Sequence, residues 1–235
     1  MDRSEWIEKY HALREKEGWV LSDEEVTRLP DRPKNDPLYH HWMMRKDSMK
    51  RILRLIQDRG AGPRIGDLGC GNGWLGHWIA GLDRVVVGVD PNLPDIQQAQ
   101  RVFSKTNLEY RLGDETELVG GKPLDLVLIS AALQYFAHPR HLFSMLLDSM
   151  PPHGEVWIAD TFLYTEKEAG AARERSMIYY ERSGSPELKD VYHHHTWKIF
   201  EGFDTEVLYQ PNLSRLARWL VPHRSPFPII AVKKR

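Results

Sequence analysis

Cysteine is nearly absent from this sequence. Cys70 stands alone, which excludes an intrachain disulfide and a cysteine-rich zinc site. No apolar run approaches the length of a membrane span. The stretch MDRSEWIEKYHALREKEGW is charged throughout and lacks the apolar core of a secretory signal, so the expectation is a soluble cytoplasmic protein without a membrane partner. An excess of one charge is missing too. The formal net charge is -1, so no global field draws the chain to nucleic acid. Internal repeats and low-complexity segments are also lacking.

What is present is ordinary globular material. The 235 residues suit one large domain, or a domain with an appended lid, at 41% hydrophobic and 28% charged. Eight tryptophans and nine tyrosines stand out; ordinary core filling accounts for them more simply than a pocket wall does.

The first 60 residues read as a helical extension. Ser4 to Glu17 forms a polar helix ending near Gly18, and Ser22 with Glu25 makes a capping box. PDRPKNDP breaks the chain. LYHHWMMRKDSMKRILRLIQDR then places Met49, Ile52, Leu53 and Ile56 at helical spacing. From residue 61 strands and helices alternate. RIGDL, RVVVGVD, NLEYRLG, PLDLVLIS and GEVWIAD read as strands, separated by helical WLGHWIAGL, PDIQQAQRVFSK and PRHLFSMLLDSM. Strands apolar on both faces predict a doubly wound, mostly parallel α/β sheet that binds ligand at its carboxyl edge. Residues of about 162–202 predict a helical cap insertion with two helices. FDTEVLYQP and FPIIAVKK are the last strands, with a short helical piece at Leu213–Leu220 between them. The domain expectation is therefore an extension or lid over 1–60 and a nucleotide-type domain over 61–235.

RIGDLGCGNGWLG, residues 64 to 76, packs five glycines behind the first strand. Gly71-Asn-Gly73-Trp-Leu-Gly76 has the letters of a dinucleotide loop, and Asp90 ends the next strand about twenty residues on, as a ribose-binding acid does. A nicotinamide enzyme satisfies that pattern equally well. Asp67 separates the alternatives, because an acid at the head of the loop repels a pyrophosphate and attracts an ammonium group.

These residues resemble the class I, Rossmann-like methyltransferases that depend on S-adenosylmethionine (SAM). DLGCGNGW is similar to their first motif, with Asp67, Gly69, Cys70, Gly71 and Gly73 around the cofactor. VVVGVDPN is similar to the second, in which Asp90, followed by Pro91, binds the ribose hydroxyls. RLGDETEL resembles the third, with Asp114 against the adenine amino group and Glu115 beside it. LDLVLISAALQYF resembles the fourth, where Ser130, Ala131 and Leu133 line the methionine end. The resemblance covers about residues 60 to 160. It implies SAM as cofactor and a seven-stranded sheet ending in an antiparallel hairpin. It also implies that a Cβ in the loop collides with the methionine portion.

No motif names the acceptor. The fourth motif reads SAAL where base and glutamine N-methyltransferases resemble one another in Asn/Asp-Pro-Pro-aromatic, and Cys70 sits inside the cofactor loop rather than where a nucleophile belongs. A small molecule methylated on oxygen or nitrogen is the favoured acceptor, and nucleic acid is disfavoured. Tyr135 is the best-placed catalytic candidate, with His41 and His193 behind it; His40, His138 and His141 are further histidines near the motifs. Consecutive side chains diverge, so His193, His194 and His195 predict no metal site. Trp74 and Trp78 read as packing. Arg45, Lys46, Lys50, Arg51 and Arg54 read as a solvated helix face, and DPLYHHWMMRK as a stretch able to lie on ligand. A non-catalytic SAM-binding protein and a nicotinamide-dependent oxidoreductase remain as alternatives.

Overall fold

The molecule is described by a computed structural model covering residues 2–211 and 223–235. The expected helical piece at Leu213–Leu220 lies outside these residues.

Five segments form the parallel part of one sheet: β1 (Arg64–Leu68), β2 (Val85–Asp90), β3 (Leu108–Leu112), β4 (Leu126–Ser130) and β5 (Glu155–Ala159). The chain completes it with β6 (Asp204–Tyr209) and β7 (Ile229–Lys233), in the order β3-β2-β1-β4-β5-β7-β6. β7 runs antiparallel to both β5 and β6, so the terminal pair is the expected hairpin, with the last strand inside and β6 at the edge. Strand order reverses between β1 and β4, whose registers pair Ile65 with Leu126 and Asp67 with Leu128. A crevice opens at such a switch point, beyond the carboxyl ends of the strands.

Alternate residues of each central strand enter separate cores. Val86, Leu126 and Leu128 face one, where α3 (Tyr39–Asp58), α4 (Trp74–Ala80) and α5 (Leu93–Val102) pack. Val87, Val89, Val127 and Ile129 face the other, with α6 (Pro139–Ser149) supplying Leu142, Phe143 and Leu146. Burial on both faces explains why these strands carry no polar alternation.

α2 (Asp23–Thr27) and α3 belong to the first core. Trp42, Met49, Ile52 and Ile56 recur on one face of α3 and share a cluster with Ile65 and Trp157 of the sheet. α2 starts at the Ser22–Glu25 capping box, and its Val26 is fully buried. α1 (Arg3–Lys16) is capped by Asp2 and stopped at Gly18, whose φ of 76° is a left-handed turn. It is tied at several points: His11 meets Asn92 at 3.2 Å, Lys9 meets Glu187 at 2.5 Å, and Lys16 donates to the Ser183 carbonyl at 3.2 Å.

The cap differs from expectation. It holds one α-helix, α7 (Glu166–Ser183), and two short 3-10 turns at Pro186–Asp190 and Trp197–Phe200. Gly184 ends α7 with a left-handed φ of 81°, and Pro186 follows. The intervening backbone bonds outward instead of helically: His193 N–H donates to the Gln134 carbonyl at 2.7 Å, and the His195 carbonyl accepts from Tyr164 at 3.0 Å.

Ile52 is fully buried between α3 and the sheet. We expect Ile52→Ala to lower unfolding free energy by about 2–5 kcal/mol in urea denaturation. An exposed, separately folding extension would show almost no loss.

Candidate active site

The glycine loop leaves β1 and turns back toward β2. Gly69 and Cys70 N–H groups donate to the Val89 carbonyl at 2.8 and 3.1 Å, which locks the turn to the neighbouring strand. Gly71 N–H donates to Asp90 Oδ2 at 2.9 Å, and Asn92 N–H donates to Asp90 Oδ1 at 2.8 Å. Asp90 thus fixes both its own loop and the one opposite.

The glycines do different work. At Gly73 a Cβ would run into the Tyr110 ring, whose hydroxyl donates to the Gly73 carbonyl at 2.6 Å. At Gly71, with φ of 52°, a Cβ would meet no protein atom within 4 Å. The second position therefore borders open space, whereas the first is filled by the protein itself.

That space is a cavity of about 470 Å³ at the carboxyl edge of the sheet, within the range of small-molecule sites. Ten of the residues singled out in the motifs line it together: Asp67, Gly69, Cys70, Gly71, Asp90, Pro91, Asp114, Glu115, Ser130 and Ala131. Gly73 and Leu133 do not. Leu133 is fully buried in the second core, and Ala132 holds the lining position beside it.

Asp67 lies at the bottom, only 2% exposed, and its Oδ2 has no hydrogen-bond partner among the described residues. Burial, and after it the Asp90 charge, push its carboxyl up to about 7, against the opposing Gly76 N–H. Asp95 is raised by burial too. An acid floor with an unpartnered buried oxygen is suited to a cationic or hydrogen-bond-donating ligand.

The opposite wall comes from helices. α1 contributes Trp6, Tyr10, His11 and Arg14, and α3 contributes Trp42 and Arg45. Arg45 is therefore not on a solvated face as its spacing implied. Its guanidinium lies over the Trp19 and Trp42 rings, each 5.5 Å from the centroid. Asp160 faces it from the end of β5, held by Ser130 Oγ at 2.8 Å and raised by burial despite Arg45. Its φ of 51° is unusual for a non-glycine residue.

Of the catalytic candidates, Tyr135 lines the cavity, stacked on Trp6 at 6.0 Å and edge-on to Tyr10 at 5.3 Å. Burial raises its phenol well above the ordinary value. His41 and His193 are not among the lining residues. His41 sits edge-on to Trp19 at 5.6 Å, and burial lowers its pKa. The three-histidine run diverges: His194 meets Ser176 at 2.9 Å, and His195 meets the Leu133 carbonyl at 3.0 Å. That contact braces the turn carrying Tyr135. His138 and His141 do line the cavity. Among the described residues no group of histidine, cysteine and acid side chains is placed to hold a metal ion, and no helix is long and apolar enough to cross a membrane.

The α1 wall was overlooked in the sequence, although Trp6, Tyr10 and Leu13 stand at positions i, i+4 and i+7.

Comparison with known proteins bears on family and fold. A family model described as a methyltransferase domain matches residues 39–198. No curated protein matches the chain in sequence. The fold is similar to magnesium protoporphyrin IX methyltransferase of Synechocystis PCC 6803, solved with S-adenosylhomocysteine (SAH) bound. That match has a TM-score of 0.60 and 16% identity, covering 90% of this chain and 92% of that one. A SAM-dependent methyltransferase of Mesorhizobium loti gives 0.58 and 20%, covering 81% and 100%. A plantazolicin methyltransferase, solved with SAH and a triazolic desmethylplantazolicin analogue, gives 0.55 and 16%, covering 98% and 99%. Family and fold agree with the class I methyltransferase resemblance of the motifs.

The raised Asp67 carboxyl has a consequence for stability. Its folded value near 7 exceeds the ordinary 3.8, so between them the folded chain holds more protons than the unfolded one. Stability from this group is greatest below the ordinary value and falls as pH rises toward 7. Asp67→Asn should therefore gain on wild type by roughly 1–4 kcal/mol between about pH 4 and about pH 8, read from urea midpoints of ligand-free protein. A constant gap across that range contradicts the burial account.

Proposed function

The chain belongs to the methyltransferase-domain family, and from that premise we propose that it transfers the methyl group of SAM to a small-molecule acceptor in the same cavity. The observation that carries this reading is the division of the cavity. One half is a glycine turn ringed by carboxylates, and the other is an aromatic and basic wall.

The residues present fit the cofactor. Open space at Gly71 admits a ligand against the backbone, and the orphaned Asp67 oxygen is suited to an ammonium group. Asp90, held at the loop by the Gly71 and Asn92 N–H groups, takes the ribose hydroxyls. Pro91 borders them, and Asp114 and Glu115 stand toward the adenine amino group. Ser130 and Ala131 flank the methionine end. Arg45, opposite the Ser130-bound Asp160, is the cation for the methionine carboxylate. A pyrophosphate has no comparable place above this acid floor, which disfavours the nicotinamide alternative.

When bound, SAM supplies a methyl carbon activated by its sulfonium, so the chemistry is the cofactor's own. The protein contributes alignment and exclusion of water. Trp6 and Tyr10 of α1 and Trp42 of α3 cover the site on the helix side. Tyr135, its phenol raised by burial, stays protonated at neutral pH; it can donate a hydrogen bond to the acceptor but does not act as a base. His138, on the rim, is the candidate to take a proton from an acceptor hydroxyl.

Calorimetric titration with SAH tests the cofactor half. We expect micromolar binding to wild type and a loss of roughly 100-fold or more in Asp90→Ala, which removes a charged acceptor and frees the loop. Binding also lowers the Asp67 carboxyl by bringing an ammonium beside it, so titrations at about pH 6 in two buffers of different ionisation enthalpy should register proton release. Wild type that binds no SAH overturns the proposal. A protein that binds SAH but methylates no acceptor in a screen with labelled SAM is instead a non-catalytic binder.

A further inference from the structure

A second, smaller cavity of about 220 Å³ lies beneath α1, against α7. Tyr10, Arg14 and Tyr135 line both it and the main cavity, so the two share a wall. Tyr180, Tyr192 and Ser176 close the far end. Tyr180 is buried, and Tyr192 stands edge-on to Tyr135 at 5.8 Å. This annex is aromatic, with polar hydroxyls at its margin.

Arg14 stands where the cavities meet. Its guanidinium lies 4.3 Å from the centroid of the Trp19 ring, and Nη1 donates to Glu17 Oε2 at 2.9 Å. Glu17 is itself bonded by the Tyr179 hydroxyl. Among the described residues Glu17 is the one hydrogen-bond partner of the Arg14 side chain. The planar fork is thus held by a ring below and an acid at one corner, with its remaining donors uncommitted. Such a fork matches a carboxylate in two parallel bonds. Asp67 and Asp90 repel an acid, and the Arg14 guanidinium, whose charge also acts on Asp95, attracts one.

We propose that the methyl acceptor is an aromatic carboxylic acid. Its ring lies in the main cavity against the Tyr10 and Tyr135 wall, and its carboxylate is gripped by Arg14. The acid is the recognised group, and the methylated atom lies at the other end, toward the cofactor. This rests on the methyltransferase reading, with Arg45 committed to the cofactor and Arg14 left for the acceptor. Glu17 is a positioning residue that sets the plane of the fork.

The test uses full-length protein saturated with SAH, titrated calorimetrically with 3-(4-hydroxyphenyl)propanoate and with its neutral primary amide. The expected result is at least about tenfold tighter binding of the acid. In Arg14→Gln that preference should fall to about twofold or less, with SAH affinity unchanged. Arg14→Lys, which keeps charge without the fork, should fall between the two. Equal binding of acid and amide, no binding of either, or a preference that survives in Arg14→Gln overturns the proposal. So does a loss of SAH affinity in Arg14→Gln, which assigns the residue to the cofactor. Failure of wild type to bind SAH at all is a different result, and it removes the methyltransferase reading instead.

Discussion

The Asp90 carboxylate is the fixed point of this site. It accepts the Gly71 N–H from one loop and the Asn92 N–H from another, and so ties the ends of β1 and β2 into one rigid rim. Its charge then acts on what it has assembled: it adds to the burial that raises Asp67, and to the burial that raises Cys70. Two acids so close, one without a hydrogen-bond partner for an oxygen, make a stored electrostatic cost. A ligand that brings hydroxyl donors and a cation relieves it. Affinity for that class of ligand follows from how the backbone is held, before any side chain of the helices is considered.

The helices supply the complementary chemistry. α1 carries few buried residues, yet its Trp6, Tyr10 and Arg14 furnish most of the wall facing Tyr135. It is held by polar ties at Asn92, Ser183 and Glu187 rather than by a large apolar seam. Side-chain ion pairs on an exposed helix stabilise weakly. The α1 wall of the cavity is therefore less firmly anchored than the glycine-loop wall.

Much of this was legible in the sequence, for identifiable reasons. The central strands announce themselves because burial on both faces leaves them no polar alternation, and the capping box at Ser22 and Glu25 reads directly as a helix start. The glycine loop was legible as a site but not in its parts. Gly73 serves Tyr110, 37 positions away, a partnership invisible to local pattern. Leu133 and Ala132 differ by one position at a strand exit, and only the turn geometry decides which faces the cavity. Arg45 carries the spacing of an exposed charge because α3 is amphipathic in its middle; near its start the same helix turns toward the cavity. The second cap helix failed to form because Gly184 and Pro186 stop α7 and the histidine run bonds sideways to Gln134 and Tyr164.

The position of β7 also bears on how the molecule comes into being. Glu155 of β5 pairs with Lys233, so the strand that fills the gap between β5 and β6 is synthesised after the other six of this sheet. Until then β5 presents an unpaired edge, and β6 has no neighbour. Such edges attract other strands. The sheet is complete only once this seventh strand has been made. Pairing across so long a separation is also slow to nucleate. The nascent protein passes through an open-edged state in which the parallel half, with its glycine loop and both carboxylates, already has all its strands.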